Sequence, residues 1–259
     1  MNMQYILSSE FNVYDLDSSP VHDFHKFTSS DHAGLLIDFK ENSLNDAQVK
    51  VLGLTLPGDY KEIYLGQHKL HVIPKLRSSL SLYLAQELLI EVMNEIEMAL
   101  AFFGMVTSDK TPLISMRMVT PQYVESEFPS VSQYYHRDAS ALTLTKCFYG
   151  EGAHYLREDN TRREFFSKNS IALDDSLAMV NQDDFCEVPQ GNWILLKGEM
   201  YAGIDSRNQN VVDAVLGKNA IFNNFAKGRG LIHKGGGFSK TDRRLVFTIS
   251  TYRTELYYE

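Results

Sequence analysis

Apolar residues recur every third or fourth position in one long segment of this chain, and every second position in several short ones. The long segment covers residues 80–103, with Leu82, Ala85, Leu89, Val92, Ile96, Leu100 and Phe103 in phase. That spacing predicts one amphipathic helix whose apolar stripe faces a core. Ser78 or Ser79 suits its start and Gly104 its end. Glu87, Glu91 and Glu95 repeat at i, i+4 and are expected to form a solvated acidic face, because no histidine stands at ligand spacing beside them.

After Gly104 the period changes. Residues 113–119, 141–148, 193–197, 230–233 and 245–252 read as short strands separated by Gly, Pro, Asn and Asp. Before the helix, residues 1 to about 32 are polar and rich in Ser and Asp, and read as an irregular arm or cover. Residues 34–39 and 49–52 are either short strands or turns of helix. There is no internal repeat and no low-complexity tract. A helix outside a many-stranded β domain is the expected outcome: an α+β chain, mainly β, with flanking N-terminal helices. Residues 1–75 are expected to form an N-terminal extension packing on a core formed by residues 76–259.

Composition narrows the classes. A chain of 259 residues, 44% of them hydrophobic, can bury a full core. Its net charge of −8, from 25 basic and 33 acidic residues, argues against general nucleic-acid binding. The longest apolar stretch, residues 98–106, is less than half of a membrane span. Residues 1–7 lack a basic region and a long apolar region, so no secretory leader is expected, and a cytoplasmic setting fits. Cys147 and Cys186 form no Cys-x-x-Cys pair; a disulfide between them is possible but not required. Oligomeric state is not readable.

The chemistry concentrates in His136-Arg137-Asp138, a distant His233, and the basic pair Arg243-Arg244. Residues i and i+2 of a strand share a face, so His136 and Asp138 would offer an imidazole and a carboxylate to one point. His233 from another strand would complete two His and one carboxylate, the facial set of non-haem Fe(II) oxygenases. A cation ten or eleven residues later could hold the far carboxylate of a metal-bound 2-oxo acid.

These parts, in this order, resemble the 2-oxoglutarate/Fe(II)-dependent oxygenases. His136-x-Asp138 matches the family's first two ligands, and His233 its last. The segment from Pro189-x-Gly191 to Gly198 looks like the turn and apolar strand that precede that last ligand, and Arg243 or Arg244 matches the 2-oxoglutarate-binding residue. The resemblance implies a double-stranded β-helix, a jelly-roll or cupin-like barrel. It also implies Fe(II) and 2-oxoglutarate as cofactors, with His136, Asp138 and His233 holding the metal. The pattern often has Arg-x-Ser where this chain has Arg244 followed two residues later by Val246. A narrower resemblance, over roughly residues 110–252, is to a bacterial family of unknown function numbered 1826. It is carried by His136-x-Asp138, residues 148–156, residues 195–199, residues 229–233 and Arg244-Leu245.

Between the two arginines, Arg244 is favoured for the lumen, because it shares a face with Val246, Thr248 and Ser250, whereas Arg243 shares one with Leu245, Phe247 and Ile249. Tyr134 shares the His136 face and could donate to a bound oxo acid, leaving Tyr135 to face the other layer. His154, in a Gly-rich turn, is either an exposed loop residue, a third histidine near the metal or a substrate contact. Lys197 and Glu199 alternate onto one face and either pair within the pocket or lie on its rim. Gly235-Gly236-Gly237 lacks the Lys-Ser/Thr of a phosphate loop, and no Gly-x-Ser-x-Gly elbow is present. Two functions follow: an oxygenase acting on a small-molecule or peptide substrate, or a Zn or Fe binder of the same fold in metal handling.

Overall fold

Alternation decides which way each central strand faces. In the strand over residues 244–250, Leu245, Phe247 and Ile249 are fully buried on one side, while Arg244, Val246, Thr248 and Ser250 line a cavity on the other. The computed structural model describes residues 2–6, 11–14, 27, 33–38, 44–107, 111–122, 133–138, 140–166, 171–189, 191–198 and 230–251.

In chain order the elements are β1 (Asn2–Ile6), β2 (Phe11–Tyr14), β3 (Gly34–Asp38), α1 (Asp46–Thr55), β4 (Lys61–Tyr64), α2 (Lys69–Leu80) and α3 (Gln86–Thr107). Next come β5 (Leu113–Val119), β6 (Tyr135–His136), β7 (Leu142–Tyr149), β8 (His154–Tyr155), α4 (Arg163–Phe166) and β9 (Ile171–Ala172). Last are α5 (Asp175–Ala178), β10 (Cys186–Glu187), β11 (Trp193–Lys197), β12 (His233–Lys234) and β13 (Arg244–Ser250).

The fold is mainly β, with two antiparallel sheets and flanking helices. The larger sheet has the order β2-β1-β3-β11-β7-β13-β5-β4, and the smaller the order β10-β8-β12-β6-β9. β13 runs between β5 and β7, with Arg244 opposite Val119 and Ser250 opposite Leu113. One face of the large sheet, with Ile37, Ile114, Met116, Leu144, Leu195 and Phe247, packs on α1, α2 and α3 in the main core. The other face turns toward the small sheet across the cavity.

Helix α1 starts at a reciprocal cap: Asn45 Oδ1 accepts from the Gln48 amide at 3.1 Å, and the Asn45 amide donates to Gln48 Oε1 at 2.9 Å. The segment left open between strand and helix at residues 49–52 is therefore helix. The N-terminal stretch is not an irregular arm throughout, because β1 and β2 pair as a hairpin and β1 joins β3 in the large sheet.

The long helix differs from expectation at both ends. Residue 80 closes the preceding helix α2, where the Ser81 amide bonds back to the Arg77 carbonyl, so Ser78 and Ser79 lie in a last turn and cap nothing. α2 itself carries Val72, Leu76 and Leu80 on its buried side, a four-residue spacing obscured by Pro74. α3 begins at Gln86, and Leu82 is 76% exposed in the turn before it. Leu89, Val92, Ile96, Leu100 and Phe103 are buried as expected. The helix runs through Gly104 to Thr107, whose hydroxyl donates to the Phe103 carbonyl at 2.7 Å.

The acidic stripe is corrected more sharply. Glu87 and Glu91 are exposed, but Glu95 is completely buried. At 3.6 residues per turn an i, i+4 series rotates by about 40° per step, so after two steps it has turned from solvent onto the core side. There Glu95 Oε1 accepts hydrogen bonds from Lys146 of β7 and from Trp193 Nε1 of β11, the latter at 2.9 Å. A buried carboxylate needs such partners.

Two stability outcomes follow, both measured by chemical denaturation. Ile96→Ala should cost about 2–5 kcal/mol, whereas Leu82→Ala should change stability by less than about 0.5 kcal/mol. Lys146→Met should cost about 3–5 kcal/mol because it strands Glu95 without its cation, and adding Glu95→Leu should restore much of the loss. Equal stability of the single and double variants would show that the pair is not coupled.

Candidate metal centre

The smaller sheet is built from two-residue strands, and each has an apolar reason to sit where it does. Tyr135 of β6 packs with Leu156, Phe166, Ala172 and Ile232 in a cluster behind the sheet. Alternation then turns His136 the other way, into the cavity. β12 lies between β6 and β8, with His233 directly opposite His136 on one side and Tyr155 on the other. The two imidazole rings stand 4.4 Å apart between centroids, tilted by 50°.

Asp138 lies just past β6 and, as the i, i+2 spacing predicted, turns into the same cavity as His136. Its Oδ1 is 3.5 Å from His136 Nε2 and 3.6 Å from His233 Nε2. One donor atom from each of the three residues lies within 4.8 Å of the others, a span a single metal ion can bridge. His136 Nδ1 meets the Tyr134 carbonyl at 2.7 Å, and His233 Nδ1 meets the Leu231 carbonyl at 3.1 Å. A carbonyl only accepts, so each Nδ1 carries the proton and each Nε2 presents its lone pair to the common point. Gly198 lies against this backbone, where a Cβ would overlap the carbonyl oxygens of Ser140 and Asp138.

The electrostatics favour the same state. Burial alone raises the Asp138 carboxyl, but the neighbouring His233 and His136 imidazoles and a hydrogen bond from Thr143 outweigh it and hold the group well below the usual carboxylate range. Burial, with His136 adding to it, pushes His233 down to about 4 against the pull of Asp138. A carboxylate and a neutral imidazole are the forms that bind metal.

The cavity measures about 530 Å³ and lies between the two sheets. Its floor is rich in hydroxyls: Ser140 and Thr143 are 2.7 Å apart, Thr143 and Ser250 3.0 Å, and Thr145 and Thr248 3.0 Å. Arg244, on β13, lines the same cavity and is 3% exposed, with its guanidinium 5.5 Å from the centre of the Phe238 ring. The loop from His233 to Arg244 is tied down by Glu151, which accepts from the Gly237 amide (3.0 Å), the Ser239 hydroxyl (2.7 Å) and the Lys240 amide (2.8 Å).

The structure thus brings His136, Asp138, His233 and Arg244 into one cavity. Arg243 does not line it: its Nε faces Asp242 at 3.4 Å. Tyr134 serves through its backbone carbonyl, and its ring is not part of the cavity wall, whereas Tyr135 faces the other layer as expected. His154 is neither a loop residue nor a cavity residue; it sits half-buried on β8, stacked on Phe185 at 4.3 Å. Lys197 is buried and donates to the Phe27 carbonyl at 2.8 Å, and Glu199 lies outside the described residues. Cys147 and Cys186 are both free thiols. Arg117 of β5, which sequence reasoning passed over, also lines the cavity. Its signal was the alternation of Ser115 and Arg117 with Ile114, Met116 and Met118.

Among the described residues no helix is long and apolar enough to cross a membrane. No curated protein matches the chain. Among solved structures, an N-substituted L-amino acid dioxygenase from Burkholderia ambifaria is similar over 98% of this chain and 96% of its own, at 9% identity and a TM-score of 0.42. A dioxygenase for auxin oxidation from rice is similar over 93% and 75%, at 12% identity and a TM-score of 0.38. The Arabidopsis thaliana dioxygenase for auxin oxidation, in its 2-oxoglutarate complex, is similar over 90% and 80%, at 9% identity and a TM-score of 0.37. Residues 129–249 match the model of the family described as "Protein of unknown function (DUF1826)", the family that the sequence resembles, and that stretch holds His136, Asp138, His233, Arg243 and Arg244.

Proposed function

We propose that this protein is an Fe(II)- and 2-oxoglutarate-dependent oxygenase on a double-stranded β-helix, acting on a small-molecule or peptide substrate. The observation that carries this reading is the convergence of two imidazole Nε2 atoms and one carboxylate in a cavity that also holds the buried cation Arg244. His136, Asp138 and His233 would hold Fe(II), and two His with one carboxylate is the donor set that suits O₂ chemistry on that metal. A protein that only stored metal would have no use for a buried guanidinium in the same cavity.

With Fe(II) and the oxo acid bound, the centre would supply O₂-dependent oxidation of a C–H bond coupled to decarboxylation of the oxo acid. The chain's own residues hold and orient. The Tyr134 and Leu231 carbonyls fix the tautomer and ring plane of His136 and His233. Thr143 holds the Asp138 carboxylate. Arg244 would receive the distal carboxylate of the oxo acid through paired, charge-assisted hydrogen bonds.

Metal content is the first test. The wild type should bind one equivalent of Fe(II), and His136→Ala, Asp138→Ala and His233→Ala should each lose it by elemental analysis; full retention by all three variants would end the reading. The second test is succinate formation from 2-oxoglutarate with Fe(II), O₂ and ascorbate, which proceeds slowly in such enzymes even without the true substrate. Arg244→Ala should raise the 2-oxoglutarate requirement at least about tenfold, with metal content intact, because it removes a charge-assisted contact from a buried site. If the metal-loaded wild type neither binds 2-oxoglutarate nor forms succinate, a metal-handling protein that takes Zn or Fe is the better description.

A further inference from the structure

Arg117 stands where a second cation would meet the same ligand as Arg244. β5 and β13 are neighbours in the large sheet, with Arg244 opposite Val119 and Val246 opposite Arg117. Arg117 and Arg244 are therefore diagonal neighbours on one face, within reach of each other's long side chains. Both line the cavity, and Asp138 is the one carboxylate among the described residues that do so. Lys61 of β4 lies directly opposite Arg117 on its other side, so three adjacent strands place cations on one face. Burial first, and the Arg117 charge with it, push the Arg244 guanidinium down from its ordinary value. The nearby carboxylate of Glu151 is already engaged by the loop at residues 237–240. Val246 offers no hydrogen-bonding group beside Arg244, and the side chain across the strand from it is a guanidinium.

We propose that Arg117 and Arg244 form a two-guanidinium clamp for a single carboxylate, and that Arg117 thereby makes the cavity selective for a dicarboxylic 2-oxo acid. The proposal rests on the oxygenase reading for the metal-bound end of the ligand, whereas the clamp itself needs only the carboxylate. The carboxylate could in principle belong to the oxo acid or to the primary substrate, and the comparison of two oxo acids separates these sources.

The test is calorimetric titration of the anaerobic Fe(II)-loaded protein with 2-oxoglutarate and with 2-oxobutyrate, which has the same metal-binding head but no distal carboxylate. The wild type should prefer 2-oxoglutarate. Arg117→Gln and Arg244→Gln should each weaken 2-oxoglutarate by about tenfold or more, the worth of one charge-assisted contact, and leave 2-oxobutyrate unchanged. Unchanged 2-oxobutyrate binding also certifies that the variants fold. If Arg117→Gln binds 2-oxoglutarate as the wild type does while Arg244→Gln does not, the clamp is refuted and the oxygenase reading stands. A loss of both acids alike, in Arg117→Gln and in the charge-keeping Arg117→Lys, also overturns it. If the wild type binds neither oxo acid, the oxygenase reading fails, and glutarate binding to the metal-free protein decides the clamp: binding that is lost in Arg117→Gln upholds it, and no binding by the wild type overturns it.

Discussion

The site depends on one antiparallel pairing: β6 against β12, with His233 directly opposite His136. Directly paired residues share a face, so this register alone sets two imidazoles side by side. A slip by one residue would send one of them into the apolar cluster behind the sheet and bring Tyr135 or a neighbour of His233 into the cavity. Two-residue strands have few ladder bonds with which to resist such a slip. What resists it is the burial of Tyr135 and Ile232 on the opposite face, together with Tyr155 of β8 on the far side of His233. The polar centre is thus held in place by the apolar residues that alternate with it.

The large sheet meets two different environments. Its helix-facing side is a continuous hydrophobic core, and its cavity side carries hydroxyls and arginines. Lys146 is the exception on the core side, and its ammonium is buried among aromatic rings, 5.0 Å from the Phe148 centroid and 5.9 Å from the Trp193 ring. Glu95 neutralises it from α3. A buried ion pair adds little net stability against an apolar replacement, but it penalises every packing of α3 in which the two charges do not meet. The helix is consequently fixed in rotation and in height on the sheet that carries the cavity floor.

What was legible in the sequence follows from the range of the interactions involved. The i, i+2 geometry of His136 and Asp138 is local, and so is the alternation that turned Arg244 inward and Leu245, Phe247 and Ile249 outward. Both could be read from neighbouring residues. The limits of α3 could not, because the apolar phase of residues 80–85 continues that of the helix while the backbone breaks after Leu80. Glu95 looked solvated because its cation lies 51 residues away in sequence, on a strand whose packing against α3 no local pattern encodes. The same holds for His154, whose stacking partner Phe185 lies across a different pair of strands, and for Arg117, whose significance appears only when β5 is laid beside β13.

The segment between β12 and β13 connects the two ends of the cavity, since it begins at His233 and ends at Arg244. A loop of this length with three consecutive glycines would sample many conformations if nothing held it. Glu151 removes that freedom by accepting from two loop amides and a loop hydroxyl; burial alone would raise its carboxyl, but these bonds outweigh it and hold the group below the usual range. Gly236 lies so close to this corner that a Cβ there would overlap the Gly152 carbonyl, so the loop can pack down only because that position is glycine. A ligand that spans from the histidines to the arginines reads the distance between them as a length. On the oxygenase reading proposed above, fixing the loop converts two separate contacts into one gauge, and an oxo acid one carbon too short or too long would satisfy one end at the expense of the other.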